Sequence, residues 1–315
     1  MIDFRYHIVS IVGIFLALAI GLVLGTTTLD PVLTHNLSSN VKTLTAEKQS
    51  LRDQLSSTQG DLSQAGSFIS AVEAPLIAGR LTGHKVLVIS APDAPSSLRT
   101  KMTKAISDAG GVVTGQIGIT ADYLDPANQT RLGDVVNSVA PGTVTLPTGG
   151  TSAQRAAALL ATLLLSKTPL ESADPQTTAA LLALSQAKFL HLISAQDTQA
   201  DLALVISDDG STAKASPSPS ASPAPGDDAL IDLVGAGDSA GSGVVVAGSS
   251  NVAKGSLLSA VRASGTSDAV STVDSADSPQ GTVQVVYALV AQLRGVSGAY
   301  GADSGSDLPL PTPAP

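Results

Sequence analysis

The chain has 315 residues, with 17 Lys and Arg against 26 Asp and Glu, and a formal net charge of -9. That balance excludes nucleic-acid binding as a default role, because phosphate recognition needs a basic surface. The absence of cysteine excludes disulfides, zinc-thiolate sites, iron-sulfur clusters and thiol catalysis. With no Trp and only 3% aromatic residues, any core must be built from Val, Leu, Ile and Ala.

Residues 8–29 carry no charge, and 8–24 are almost wholly apolar, which is long enough to span a bilayer. Phe4 and Tyr6 stand where interfacial aromatics belong. Arg5 precedes the run and the first Lys after it is Lys42, so the flank bias places the N-terminus in the cytoplasm and the body outside. Gly25-Thr-Thr-Thr-Leu29 is not a small-x-small cleavage site, so residues 1–29 are expected to be an uncleaved transmembrane signal anchor, with a cleaved signal peptide as the other reading. Gly13, Ala17, Gly21 and Gly25 recur every four residues, a spacing that lets two helices approach closely and marks a dimerisation face.

A coiled coil is expected over 30–75. Spacings of four and three pick out Leu37, Val41, Leu44, Lys48, Leu51, Leu55, Thr58, Leu62, Ala65, Ile69 and Val72, with mostly polar residues between them. Lys48 and Thr58 break the stripe and could fix register at some cost in stability. The alternative is one amphipathic helix packed on its own domain. Pro75 is expected to end the run, and 79–83 to form a hinge. The partners expected are therefore the membrane and either a second copy, giving a homodimer, or another coiled-coil protein.

The body, 84–300, reads as an α/β domain with a doubly wound, mostly parallel, Rossmann-like sheet. Strands are expected at 85–90, 112–119, 189–193, 202–207, 244–248 and 269–273. Helices are expected at 95–109, 126–139, 152–166, 175–187, 229–234, 252–264 and 281–294. The Ser-Pro and Ala-Pro repeats of 211–228 predict a disordered insertion, and the Pro-rich 301–315 a disordered tail.

Ligands of such sheets bind beyond the carboxyl ends of the strands. Those ends carry Ser90 and Asp93, Ser207 and Asp208, Ser249 and Asn251, and Asp274 with Asp277. The same residue types also favour turns and helix caps. Gly235-Ala-Gly237-Asp-Ser-Ala-Gly241 superficially resembles a dinucleotide loop, but it follows a helix and has the wrong spacing, so a flexible turn is expected. His7, His35, His84 and His191 sit in poor catalytic contexts, His191 reading as a core residue of a strand. No enzyme, catalytic residue or cofactor site is expected.

Arg5-Tyr-His-Ile-Val-Ser10 followed by Phe15-Leu-Ala-Leu-Ala-Ile-Gly21-Leu-Val-Leu-Gly25 resembles the start of the actinobacterial copper transporter family. Pro92-Asp93-Ala94, Ala109-Gly110-Gly111, Ser271-Thr-Val-Asp274-Ser-Ala-Asp277-Ser-Pro-Gln-Gly281 and Ala299-Tyr300-Gly301 extend the resemblance in order along the chain. It implies an envelope protein of copper efflux and homeostasis, anchored in the cell membrane or placed in the outer membrane. Copper itself is implied only by the resemblance. Copper(I) prefers sulfur and imidazole, whereas the metal-compatible groups at the strand ends are the hard carboxylates Asp93, Asp274 and Asp277. The alternative is a non-catalytic, membrane-anchored coiled-coil interaction protein of cell-envelope assembly or division.

Overall fold

A computed structural model of the chain describes residues 4–142, 144–169, 174–196, 198–207, 227–250, 256–302 and 306, with residues 4–5, 26–39 and 227 described as backbone only. Most of the expected insertion and tail thus lies outside the described residues. The chain divides into two compact units, 1–65 and 66–315.

A single helix, α1 (Phe4–Ile77), makes up the described first unit and opens the second. It contains both the expected anchor and the expected coiled-coil stretch. Tyr6–Gly25 is a largely apolar stretch of 20 residues, none buried, long and apolar enough to cross a membrane. Pro75 does not end the helix, as expected from sequence, but lies in its last turn. There its missing N–H costs a single bond. The turn closes through Ala78 N–H donating to the Ala74 carbonyl at 3.0 Å, and Ile77 is buried in the core of the body.

The body continues as β1 (Lys85–Ser90), α2 (Ser96–Asp108), β2 (Val112–Ile119), α3 (Ala121–Leu124) and, after a 3-10 turn, α4 (Gln129–Val139). Next come α5 (Ser152–Leu164), α6 (Pro175–Gln186), β3 (Leu190–Ser194), β4 (Leu202–Ile206) and α7 (Asp227–Ala240). The last elements are β5 (Gly243–Ala247), α8 (Leu257–Ala263), β6 (Ser271–Val273), α9 (Pro279–Gln292) and β7 (Ala299–Tyr300). Local chemistry explains the boundaries. Thr151 and Gln154 form a reciprocal capping box on α5. Asp174 and Ser278 cap α6 and α9, each with Pro at the first helical position. Gly110, at φ 81, closes α2.

The seven strands form one sheet in the order β3-β2-β1-β4-β5-β6-β7, parallel except where β3 pairs with β2. Alternate residues of the central strands face two separate cores. Leu87, Ile89, Ala203, Val205, Val244 and Val246 pack under α4 to α8. Val86, Val88, Leu204, Ile206, Val245 and Ala247 pack under α2, α9 and the end of α1. Both faces are therefore covered, which is why these strands read as unbroken apolar runs.

Several expectations need correction. β3 is an antiparallel edge strand, a common addition to parallel sheets. Its His191 is exposed, not a core residue. The Gly235–Gly241 stretch is no flexible turn: Gly235 and Gly237 lie within α7. Gly237 is small for a packing reason, since a Cβ there would meet Val244 Cγ2 at 3.2 Å and Leu165 Cδ1 at 3.3 Å. β7 extends the sheet by two residues that were not expected to be a strand.

Candidate functional site

Strand order reverses between β1 and β4, so their carboxyl ends flank the usual ligand position of this architecture. The turn leaving β1 is Ala91-Pro92-Asp93-Ala94-Pro95, and α2 begins after Pro95 with no side-chain cap. A dinucleotide turn needs glycines for close backbone approach to the phosphates. Here exposed Asp93, at φ 62, puts a carboxylate in that turn instead, and its charge opposes a phosphate. The Ser90 hydroxyl is buried and has no hydrogen-bond partner among the described residues. Ser207 Oγ accepts from the Leu258 N–H at 3.3 Å and so serves the start of α8. Asp208 and Asn251 lie outside the described residues.

The three carboxylates singled out at the strand ends have separate tasks. Asp274 is 1% exposed and takes the Arg262 guanidinium at 3.0 Å, together with the Ser275 hydroxyl at 2.9 Å and the Ala302 N–H at 2.7 Å. Arg262 also donates to Thr272 Oγ1 at 2.9 Å and to the Tyr300 carbonyl at 3.1 Å, tying α8, β6 and β7 into one knot. Asp277 is exposed and accepts from both the N–H and the hydroxyl of Ser250, at 2.8 and 2.6 Å. Beside it Lys101 donates to the carbonyls of Asp277 and Ser278, at 2.8 and 2.9 Å, linking α2 to the start of α9. Burial lowers the Lys101 pKa, against the opposing pull of Glu73 and Asp277. Among the described residues, no group of three or more His, Asp or Glu side chains is placed to hold a metal ion.

Three features were not foreseen. His84 Nδ1 lies 2.6 Å from Asp201, whose other oxygen accepts the Lys85 N–H at 2.6 Å, joining the starts of β1 and β4. No sequence signal links positions so far apart. Arg262 did leave a signal: it is the lone charge in the apolar helix α8. A cavity of about 390 Å³ also opens between α3 to α5 and the first turns of α7, lined by Gln129, Gln154, Asp228 and Asp232 among apolar residues.

Desolvation raises the pKa of Asp232, with Asp228 adding to it and the Gln154 hydrogen bond opposing it. Desolvation likewise raises Asp238, with Lys167 opposing. A carboxyl whose folded pKa exceeds its unfolded value binds more protons folded than unfolded, so stability falls as pH rises through that window. The double variant Asp232→Asn/Asp238→Asn should therefore be more stable than the parent at neutral pH, with the gain vanishing below about pH 4. Chemical unfolding across that pH range checks this; a gain that persists at the acid end would contradict it.

Along the stripe expected to self-associate, Gly13, Gly21 and Gly25 have open space around them, and Ala17 is exposed. Leu44, Leu51, Leu55 and Leu62 are 59–65% exposed on a single chain. The side chain of Leu37 lies outside the described residues.

A family model described as "Copper transport outer membrane protein, MctB" matches residues 1–311. The chain is 29% identical over 324 residues to a protein of Mycobacterium leprae (strain TN) named copper transporter MctB, covering 97% of this chain and 98% of that one. Proteins of the same name from Mycobacterium tuberculosis (strain ATCC 25618 / H37Rv) and Mycobacterium bovis are 33% identical over 138 residues. Those two matches span 44% of this chain and 44% of each relative, less than half of their length.

Proposed function

The chain belongs to the copper transport outer membrane protein family, and from that premise we propose that it serves copper homeostasis at the cell envelope as a membrane-anchored, self-associating, non-enzymatic protein. The family match along 1–311 carries this reading. The apolar Tyr6–Gly25 stretch supports a single-pass anchor, and the flanking Arg5 with no Lys until Lys42 supports an α/β body held outside the cytoplasm; the direction of copper movement proposed is outward.

The donor chemistry favours an accessory task over direct conduction of the ion. Copper(I) is held by thiolate, thioether and imidazole. This chain has no Cys and two Met, of which Met102, on α2, is fully buried. His84 is engaged by Asp201. Asp274 is neutralised by Arg262, so a metal there would have to displace a guanidinium. These observations equally favour the second reading, in which α1 and the body form an interaction scaffold for envelope assembly or division.

Deleting the protein and measuring cellular copper and growth under copper stress decides between them. The copper reading expects raised copper content and sensitivity, restored by the full chain. Unchanged copper with an envelope or division defect would overturn it in favour of the scaffold.

A further inference from the structure

We infer that two copies of this chain pair through α1 in parallel and in one register, which Glu47 and Arg52 fix across the pair. The inference rests on the self-associating reading above and specifies its geometry.

In the seam already described, Val41, Lys48, Leu55 and Leu62 occupy the first apolar position of each heptad, and Leu44, Leu51, Thr58 and Ala65 the second. Leu44, Leu51, Leu55 and Leu62 lie open along one chain. Polar side chains off the seam bond along their own helix: Gln49 to Asp53 at 2.9 Å and Gln54 to Ser50 at 3.3 Å. Thr58, on the seam, donates its hydroxyl to the Gln54 carbonyl at 2.9 Å. That bond satisfies its polar atom within the helix and leaves the methyl for the partner.

The flanking positions decide orientation. Those just before the first apolar position hold Asn40, Glu47, Gln54 and Asp61, where the only charges are acidic. Through residue 66, those just after the second hold Thr45, Arg52, Gln59 and Gly66, where the only charge is basic; the next such position, after Val72, holds Glu73, whose charge acts on Lys101 of the body. Over 40–66, antiparallel pairing sets like flank against like, so it gives no opposite-charge contact within that stretch. Parallel, in-register pairing sets each flank against the other, five residues on, and brings Glu47 of each chain to Arg52 of its partner. Five residues apart on one helix, the two side chains do not face each other, and among the described residues no ion pair within the chain engages either one. A slip of one heptad loses both contacts and sets Lys48 against Val41 or Leu55. In register, Lys48 lies beside the partner's Glu47, which offsets the cost of a lysine on the seam. A membrane anchor at the start of both helices imposes the same orientation.

Because the chain has no cysteine, single-cysteine variants of the full chain in detergent or native membranes report the pairing directly. Leu44→Cys and Leu62→Cys should each form a disulfide-linked dimer with itself under diamide. Glu47→Arg and Arg52→Glu should each weaken association about three- to tenfold, and the double swap should restore it. A monomeric mass for the parent chain by light scattering would sink the self-association reading itself. A dimeric mass with Leu44→Cys linking only to Leu62→Cys would leave that reading standing and overturn the parallel register. Self-linking with additive losses in the double swap would remove Glu47 and Arg52 as its determinant.

Discussion

Replacing Arg262 with Met is expected to cost about 3–5 kcal/mol of unfolding free energy, because it leaves Asp274 charged and buried without its counter-ion. The carboxylate is 1% exposed and the Arg262 side chain 12%, so water can reach neither well enough to substitute. The Ser275 hydroxyl and Ala302 N–H would remain on Asp274, but neither carries a compensating charge. Arg262 also holds the Tyr300 carbonyl, so its loss should loosen the two-residue strand β7 before the central strands. The double variant Arg262→Met/Asp274→Leu removes both charges and should recover much of the loss, since apolar replacements of a buried pair are often near neutral. Equilibrium denaturation of the two variants tests this. Equal losses in both would mean that packing, not the uncompensated charge, is what matters.

The same knot shows what the sequence could and could not disclose. The central strands β1, β4 and β5 were legible because burial on both faces makes them nearly continuous apolar runs between turn residues. β3 was legible as a strand but not in direction, since an apolar run reads the same either way along a sheet. β7 was too short to leave a pattern. The α7 glycines misled because glycine normally argues against a helix interior, whereas Gly237 is required by Val244 and Leu165 pressing against it. The strand-end carboxylates do follow the strands from which they were read, but their partners were not legible. Arg262 reaches Asp274 from a different element, and His84 reaches Asp201 across 117 positions. Periodicity encodes which face a side chain takes; it does not encode which distant group meets it there.

The proposed association face of α1 is the opposite case. Its seam and flanks repeat along one helix, so both their spacing and their charge order are fully present in the sequence. This separates two kinds of evidence about function. The pattern behind the proposed pairing is written locally. What it does for copper rests on the family to which it belongs, and the donor chemistry of the body adds little to it.

Gly281→Ala is expected to destabilise the body by about 3 kcal/mol or more, against the direction that helix propensity alone predicts. Gly281 is the third residue of α9, where alanine would ordinarily gain roughly 0.5–1 kcal/mol over glycine. A Cβ there, however, would stand 1.9 Å from the Ser275 carbonyl oxygen and 2.7 Å from the Ala276 Cα. The obstruction is backbone, so no side chain can swing aside. Nor can the turn relax cheaply, because Ser275 already holds φ 60 and Ala276 is fully buried. Moving α9 outward instead would pull the Gly281 N–H from Ser278 Oγ and the Lys101 ammonium from its two carbonyls. Gly235→Ala in α7 is the matched control: its nearest neighbour would be Thr266 at 3.7 Å, ordinary contact, so propensity should win and the variant should gain stability. Opposite signs for the two substitutions in chemical unfolding would show that close approach at the β6–α9 turn, not glycine as such, is what position 281 requires. The same sign for both would refute it.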